Sequence, residues 1–249
     1  YIGEEPTHPE LLTWLAAELM EGGWTLKRMH KLIMMSRTYQ MSSTGNAAGL
    51  KVDPNNDLFW RFNMRRLAAE EIRDSILNLT GQLNLKMAGP SIYTEIPPDV
   101  AKTASRPGGA WGRSSKEDAA RRSVYIFVKR SLHEPFLASF DWADTDNTCD
   151  VRFVTTVPTQ TLTMINSKFL NDSAETLAKR LQSEKPGDMS AQVRRALELA
   201  TSRSPTQQDV TEGIAFIKNF QSKSNLDENQ SLQRFCLLVL NLNEFVFLD

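Results

Sequence analysis

The stretch FDWADTDNTCDVRFVTTVPTQTLTMINSKFL, residues 140–170, places Asp141, Asp144, Asp146, Asp150 and Cys149 within eleven residues. Carboxylate oxygens are hard donors, so this acidic knot is a candidate Ca²⁺ site. The spacing is not that of an EF-hand, because no glycine stands at the turn and no glutamate at the end. The competing reading is structural. Asp150 and its neighbours would pair with Arg121, Arg122 or Arg152 and hold the loop against the helix that follows. Asp144 is also a candidate catalytic acid. Cys149 would need a histidine beside it to act as a nucleophile, and His133, sixteen residues upstream, gives no local support. A buried structural thiol fits Cys149 better.

A second group runs ahead of and into a helix: Arg61, Arg65, Arg66 and Arg73 alternate with Glu70 and Asp74. Guanidiniums ahead of a helix N-terminus suit a carboxylate or sulfate ligand. The plainer alternative is an ion-paired helix face in which Arg66 and Glu70 form an i,i+4 pair. Glu70 and Asp74, also four apart, are candidate paired carboxylates for glycoside chemistry. Trp111 and Trp142 fall in loop sequence and are candidate platforms for sugar rings, whereas Trp14 and Trp60 fall in apolar patterns and read as core. Three scattered histidines and two distant cysteines show no zinc spacing. With no CxxCH, the chain attaches no c-type haem of its own.

The elements that must position these residues are mostly helical. Thr7-His8-Pro9-Glu10 reads as a capping box with proline in the first turn, followed by Leu11, Leu12, Leu15 and Leu19 at helical spacing and a stop at Gly22-Gly23. A second helix is expected over 25–40. A third is expected over 66–79, with Ile72, Ile76 and Leu79 inward and Gly81 at its close. Over 82–113 the pattern dissolves, and a connection of that length is usually functional or disordered. Ser114-Ser115-Lys116-Glu117 reads as another capping box. SVYIFVK, 123–129, is the best strand candidate, with Val124, Ile126 and Val128 on one face and Tyr125 and Phe127 on the other. Helices are then expected over 158–182 (broken near Asn171), 191–202, 207–221 and 230–242, with Thr206 and Asp209 capping the third of these. The fold class is therefore mainly α with a small β element near 123–129. The organisation is one helical domain over 1–249, open to subdivision into 1–81, 82–150 and 151–249.

Composition sets the outer limits. Of 249 residues 41% are apolar and 24% charged, which suits a globular chain able to bury a sizeable core. A net charge of −1 leaves no electrostatic footprint for nucleic acid. No apolar run approaches the ~18 residues that span a bilayer, and no signal peptide opens the chain. A Cys149–Cys236 disulfide would close a long loop and contribute roughly 4–5 kcal/mol in the entropic model. Two separate buried thiols is the other possibility.

The series PTHPELLTWLA, HKLIMMSRTYQMSS, DPNNDLFWRFNMRRLAAEEIRDSIL, GPS, RRSVYIFVKR, FDWADTDNTC, TTVPTQTLTMIN and LNLNEFVFLD resembles one family. It is similar to the C-terminal domain of unknown function of large planctomycete-type secreted proteins, where that domain commonly follows a cytochrome-c-like haem domain. Family members usually have an upstream helix rich in Trp, His and Phe. This chain lacks one before Tyr1, so the resemblance implies a domain without its N-terminal part. It further implies export to the periplasm or outside the cell, upstream domains as partners, haem only in such a partner, and an association with breakdown of complex polysaccharides. The expectation is a binding or interaction module. A polysaccharide-acting hydrolase, a haem-fed oxidase and a structural envelope domain stay open as alternatives.

Overall fold

The structure, a computed structural model, describes residues 5–102, 111–130, 132–143, 145 and 152–248. Thirteen α-helices and one two-stranded antiparallel sheet make it mainly α among the described residues. The chain divides into two compact units that meet in sequence at Arg65 and Arg66.

The first unit holds α1 (Pro9–Glu21), α2 (Leu26–Met34) and α3 (Ala47–Val52). Thr7 does not cap α1. His8 is the N-cap, without a side-chain hydrogen bond, and the Thr7 hydroxyl lies 3.0 Å from His8 Nδ1 instead. The expected helix over 25–40 is shorter, ending at Met34. α1 buries none of its residues, so Trp14, expected in the core, is about half exposed. Trp60 is half-buried, donating Nε1 to the Asp53 carbonyl at 2.9 Å. Two short polar side chains shape the turn around it. Asp53 accepts from the Asp57 and Leu58 amides, and Asn56, at φ 62°, bridges the Arg61 backbone. Asn is among the few residues that tolerate that left-handed conformation.

The second unit opens at Arg66, the second residue of β1 (Arg65–Arg66), and β2 (Phe247–Leu248) pairs with it from far along the sequence. Next come α4 (Ala69–Leu79), α5 (Pro98–Lys102), α6 (Lys116–Ala119) and α7 (Pro135–Ser139). They are followed by α8 (Pro158–Asn166), α9 (Lys168–Glu184), α10 (Met189–Thr201), α11 (Gln207–Ser224), α12 (Glu228–Val239) and α13 (Asn243–Val246). The break between α8 and α9 falls at Ser167, four residues earlier than expected, where one extended residue ends one helix and caps the next. Caps set the other registers: Thr206 with Asp209, Asp227 with Gln230, and Asp188 on the Ala191 amide at 2.9 Å. Ser115, not Ser114, caps α6, accepting from Asp118 N at 3.0 Å.

The core of this unit is a helical cluster. α9 turns Leu170, Ala174, Leu177, Ala178 and Leu181 toward Leu232, Phe235, Cys236 and Val239 of α12, and all are buried. This is the i, i+4, i+7, i+8, i+11 stripe of an amphipathic helix. α10 and α11 close over it with Val193, Ala196, Val210 and Ile217, and α4 adds Ile72, Ile76 and Leu79 beside Phe136 and Leu137 of α7. At Gly213 an added Cβ would lie 2.6 Å from Val193 Cγ1 and 3.0 Å from Phe235 Cε2. Gly213→Ala is therefore expected to destabilise by about 1–3 kcal/mol through overpacking, despite alanine's better helix propensity. A urea unfolding midpoint that rises in this variant would refute that packing.

The expected strand over 123–129 is corrected. Ser123–Tyr125 is a turn of 3₁₀ helix, and only Ile126 makes an isolated parallel bridge, with Ile92. Ile126 is buried while Val124 and Val128 are exposed, so the alternation covers one residue rather than two faces. The described part of 82–113 is ordered by this segment. Asn84 N–H donates to Ala120 O, Ile92 N–H to Tyr125 O, and Phe127 N–H to Ile92 O. A satellite aromatic group, Tyr93, Trp111 and Phe127, packs beside it.

Candidate functional site

The chemistry-bearing residues of the second unit fall into three polar knots, each tying a loop to α4 or to the chain just before it. The first is centred on Asp141, which follows α7 at φ 60°. Its carboxylate accepts from Thr155 N at 2.8 Å, from the Thr155 hydroxyl at 2.9 Å, from Arg66 at 2.6 Å and, at 3.4 Å, from Gln160 Nε2. Arg66 is buried and also donates Nε to Thr155 O and a terminal N–H to Leu67 O. Burial raises the Asp141 pKa, but the Thr155 amide and hydroxyl and the Arg66 guanidinium outweigh it and hold the carboxyl below its usual range. Asp141 and Thr155 thus fasten together the chain on either side of residues 142–154, and Asp141 is an anchor. Asp144, Asp146, Cys149 and Asp150 lie outside the described residues.

The second knot joins Glu70 of α4 to Arg152 in a two-pronged pair, at 2.8 and 2.9 Å. Burial pushes Glu70 up, but the Arg152 hydrogen bonds, a backbone hydrogen bond and the Arg152 charge together outweigh it, and the net pKa is lowered. The expected Arg66–Glu70 pair does not form: Arg66 turns to Asp141 and Glu70 to Arg152. The expected pairing of Asp150 and its neighbours with Arg121, Arg122 or Arg152 falls on residues outside the described ones. Asp141 is held by Arg66.

The third knot is buried. Arg73 donates to the carbonyls of Arg121 and Ala119 at 3.1 and 2.6 Å and to Ser123 Oγ at 3.1 Å. Asp74 accepts from Ser123 N at 2.8 Å and from its hydroxyl at 2.6 Å. Burial lowers the Arg73 pKa, opposed by Glu134 and Asp74. Glu134 caps α7 through the Leu137 amide at 2.7 Å, and its own burial raises its pKa against that bond and against Arg73. Arg121, nearly inaccessible, donates to the carbonyls of Lys86, Ala88 and Pro90 and lies 4.0 Å over the Tyr125 ring.

The sequence-derived sites are therefore dispersed. Arg61 and Arg65 belong to the first unit, and Arg66 and Arg73 to the second, where each is occupied by internal acceptors. Glu70 and Asp74 are engaged by separate partners rather than presented together. Trp111 is half-buried, edge-on to Tyr93, with Nε1 donating to Thr94 O at 2.8 Å. Trp142 is half-buried against the main core. Neither is an open platform. Cys236 is a free buried thiol whose pKa burial raises, as an inert structural cysteine requires. Among the described residues no group of three or more His, Cys, Asp or Glu side chains is arranged to hold a metal ion.

Sequence reasoning missed Thr155, Gln160, Ser123 and Glu134, which complete these knots. A signal existed for two of them. Val157-Pro158 followed by Gln160 is half a capping box, and Gln160 Oε1 does accept the Val157 amide at 3.3 Å. Glu134-Pro135 is likewise an N-cap followed by proline at N1.

A family model, PSD1, described as "Protein of unknown function (DUF1553)", matches residues 1–217. The chain belongs to the PSD1 family. The match takes in residues 1–65 of the first unit and all three PSD1 knots, and it ends within α11, before α12, α13 and the LNLNEFVFLD stretch. No curated protein and no solved structure matches this PSD1 chain. Among the described residues no PSD1 helix is long and apolar enough to cross a membrane.

Proposed function

We propose that this PSD1 chain is a binding or interaction module of an exported multidomain protein, working beside complex polysaccharide or a haem-bearing partner domain. The observation that carries the reading is the state of the carboxylates. A general acid must keep its proton near neutral pH, and a base must reach the substrate. Glu70 and Asp141 have lowered pKa values and are locked onto Arg152 and onto Arg66 with Thr155. Asp74 is spent on Ser123. These groups hold the fold together instead of facing a substrate. The planctomycete-type, haem-linked and export features come with the resemblance seen in the sequence, and by themselves they are an analogy.

The test is the thermal unfolding midpoint of the chain in EDTA, in calcium, and in each with neutral polysaccharides, sulfated polysaccharides or the haem domain of the parent protein. A partner at ~100 times its dissociation constant adds about 2.7 kcal/mol, which raises the midpoint of a domain this size by several degrees. A rise with polysaccharide or haem domain supports the module. Polysaccharide turnover that disappears in Glu70→Gln with an unchanged midpoint would make the chain an enzyme. Superimposed curves throughout would leave the structural envelope reading in its place.

A further inference from the structure

From Gly22 to Val52 the sequence carries five lysines or arginines and not one aspartate or glutamate, in a chain whose net charge is −1. α2 lies inside this run, and its residues sort by face. At about 100° per residue, Leu26, Ile33 and Met34 share one arc, with His30 among them, and Lys27 and Lys31 occupy the adjoining arc. Met29 stands at the other border of the arc, next to Ile33, and is the buried residue of the helix. The apolar arc is uncovered: Leu26 is 62% exposed and Met34 53%. Trp24, 69% exposed, precedes it at φ 60°, and Met35, 67% exposed, follows. Arg28 is drawn back onto α1, pairing with the Glu18 carboxylate and donating to the Glu18 carbonyl at 3.1 Å. Lys27 and Lys31 form no ion pair among the described residues.

We infer that residues 24–37 form a peripheral binding site for an anionic lipid bilayer. A helix with a sharp apolar arc, a basic border and low overall hydrophobicity lies in the plane of the membrane interface. Tryptophan and long lysine stems favour that depth, the ring resting at headgroup level and the ammonium reaching up to phosphate. The absence of any carboxylate over the run removes the repulsion that an anionic surface would otherwise meet. A folded protein partner would need a matching acidic and apolar surface, whereas anionic lipid supplies both at once. The site lies on the membrane and does not span it. It rests on α2 and its flanks, independently of the carboxylate knots.

The test is co-sedimentation of the full chain with vesicles of phosphatidylcholine alone and of phosphatidylcholine with one third phosphatidylglycerol, at low and at physiological salt. Binding to the anionic vesicles, weakened by salt and far weaker on neutral ones, is expected. Each lysine near the surface is worth about fivefold in partitioning, so Lys27→Gln with Lys31→Gln should weaken binding roughly 25-fold. Leu26→Ser with Met34→Ser should weaken it as well, and Trp24→Phe should abolish part of the vesicle-induced blue shift in fluorescence. These side chains are exposed, and an unchanged circular dichroism spectrum will show that each variant folds. No binding to anionic vesicles at low salt overturns the inference. So does binding that is lost without the lysines but untouched by Leu26→Ser with Met34→Ser, which would be anion binding alone.

Discussion

Arg121→Met is expected to lower the thermal unfolding midpoint by roughly 10 °C. The arginine side chain is almost wholly buried and gives its N–H groups to three carbonyls of one loop, those of Lys86 at 3.2 Å, Ala88 at 2.5 Å and Pro90 at 3.2 Å. Methionine fills similar volume but donates nothing, so three part-buried hydrogen bonds to this loop are lost. A hydrogen bond from a charged donor contributes about 1.5–3 kcal/mol, and with water taking over part of the loss a total of about 3–5 kcal/mol is expected. Arg121→Lys should recover only part of the loss, because an ammonium cannot reproduce the planar fork or its stacking on Tyr125. Amide hydrogen exchange locates the effect. Protection of Ala88, bonded to the Tyr125 hydroxyl, and of Ile92 should fall before that of α9 and α12. A midpoint within 2 °C of the parent would mean that something other than Arg121 holds the 84–92 loop.

Asp141→Ala is the second large effect, about 3 kcal/mol. It strands Arg66, whose side chain is only 3% exposed, and releases the Thr155 amide and hydroxyl. Asp141→Asn should cost less, about 1–2 kcal/mol, because asparagine keeps an acceptor oxygen and accepts the left-handed backbone found there. The difference between wild type and Asp141→Asn has a definite pH dependence. The folded carboxyl titrates below its unfolded value of about 3.9, so in acid the unfolded chain takes up the proton first. The contribution of Asp141 is therefore fully present above that unfolded value and fades as the pH falls through the folded one. Glu70, also lowered, acts in the same direction, and Glu134, raised, acts in the opposite one, losing stability as the pH rises through its folded value. Both cancel in the comparison with Asp141→Asn. Urea unfolding between pH 2.5 and 7 checks it, and a wild-type advantage that persists unchanged at the acid end would show that Asp141 is no charged anchor. If calcium at millimolar concentration stabilised the parent chain but not Asp141→Ala, the anchor would have to be re-read as a metal ligand.

Local rules read the helices well because a helix is decided within a few residues of itself. Thr206 and Asp209, the stripe of α4, and the close of that helix at Gly81, at φ 76°, were all legible. The strand reading of SVYIFVK failed for a reason outside the window. Ser123 is seized by Asp74 and Arg73, which bends its neighbours into a 3₁₀ turn and leaves Ile126 alone to bridge Ile92. The candidate site was legible as a set of residue types and illegible as a geometry. Arg66 had a carboxylate four residues away in Glu70, worth a few tenths of a kcal/mol on an exposed helix, and chose Asp141, 75 residues on. Glu70 in turn found Arg152, 82 residues away.

By itself the sequence determined the mainly helical class, most element positions and the family resemblance, because apolar periodicity, caps and turn residues act over short range. Only the tertiary structure decided that the charged residues are fasteners. A buried guanidinium must satisfy its donors wherever the packed helices bring acceptors within about 3 Å, and which acceptors those are is a property of the fold, not of any stretch of the chain.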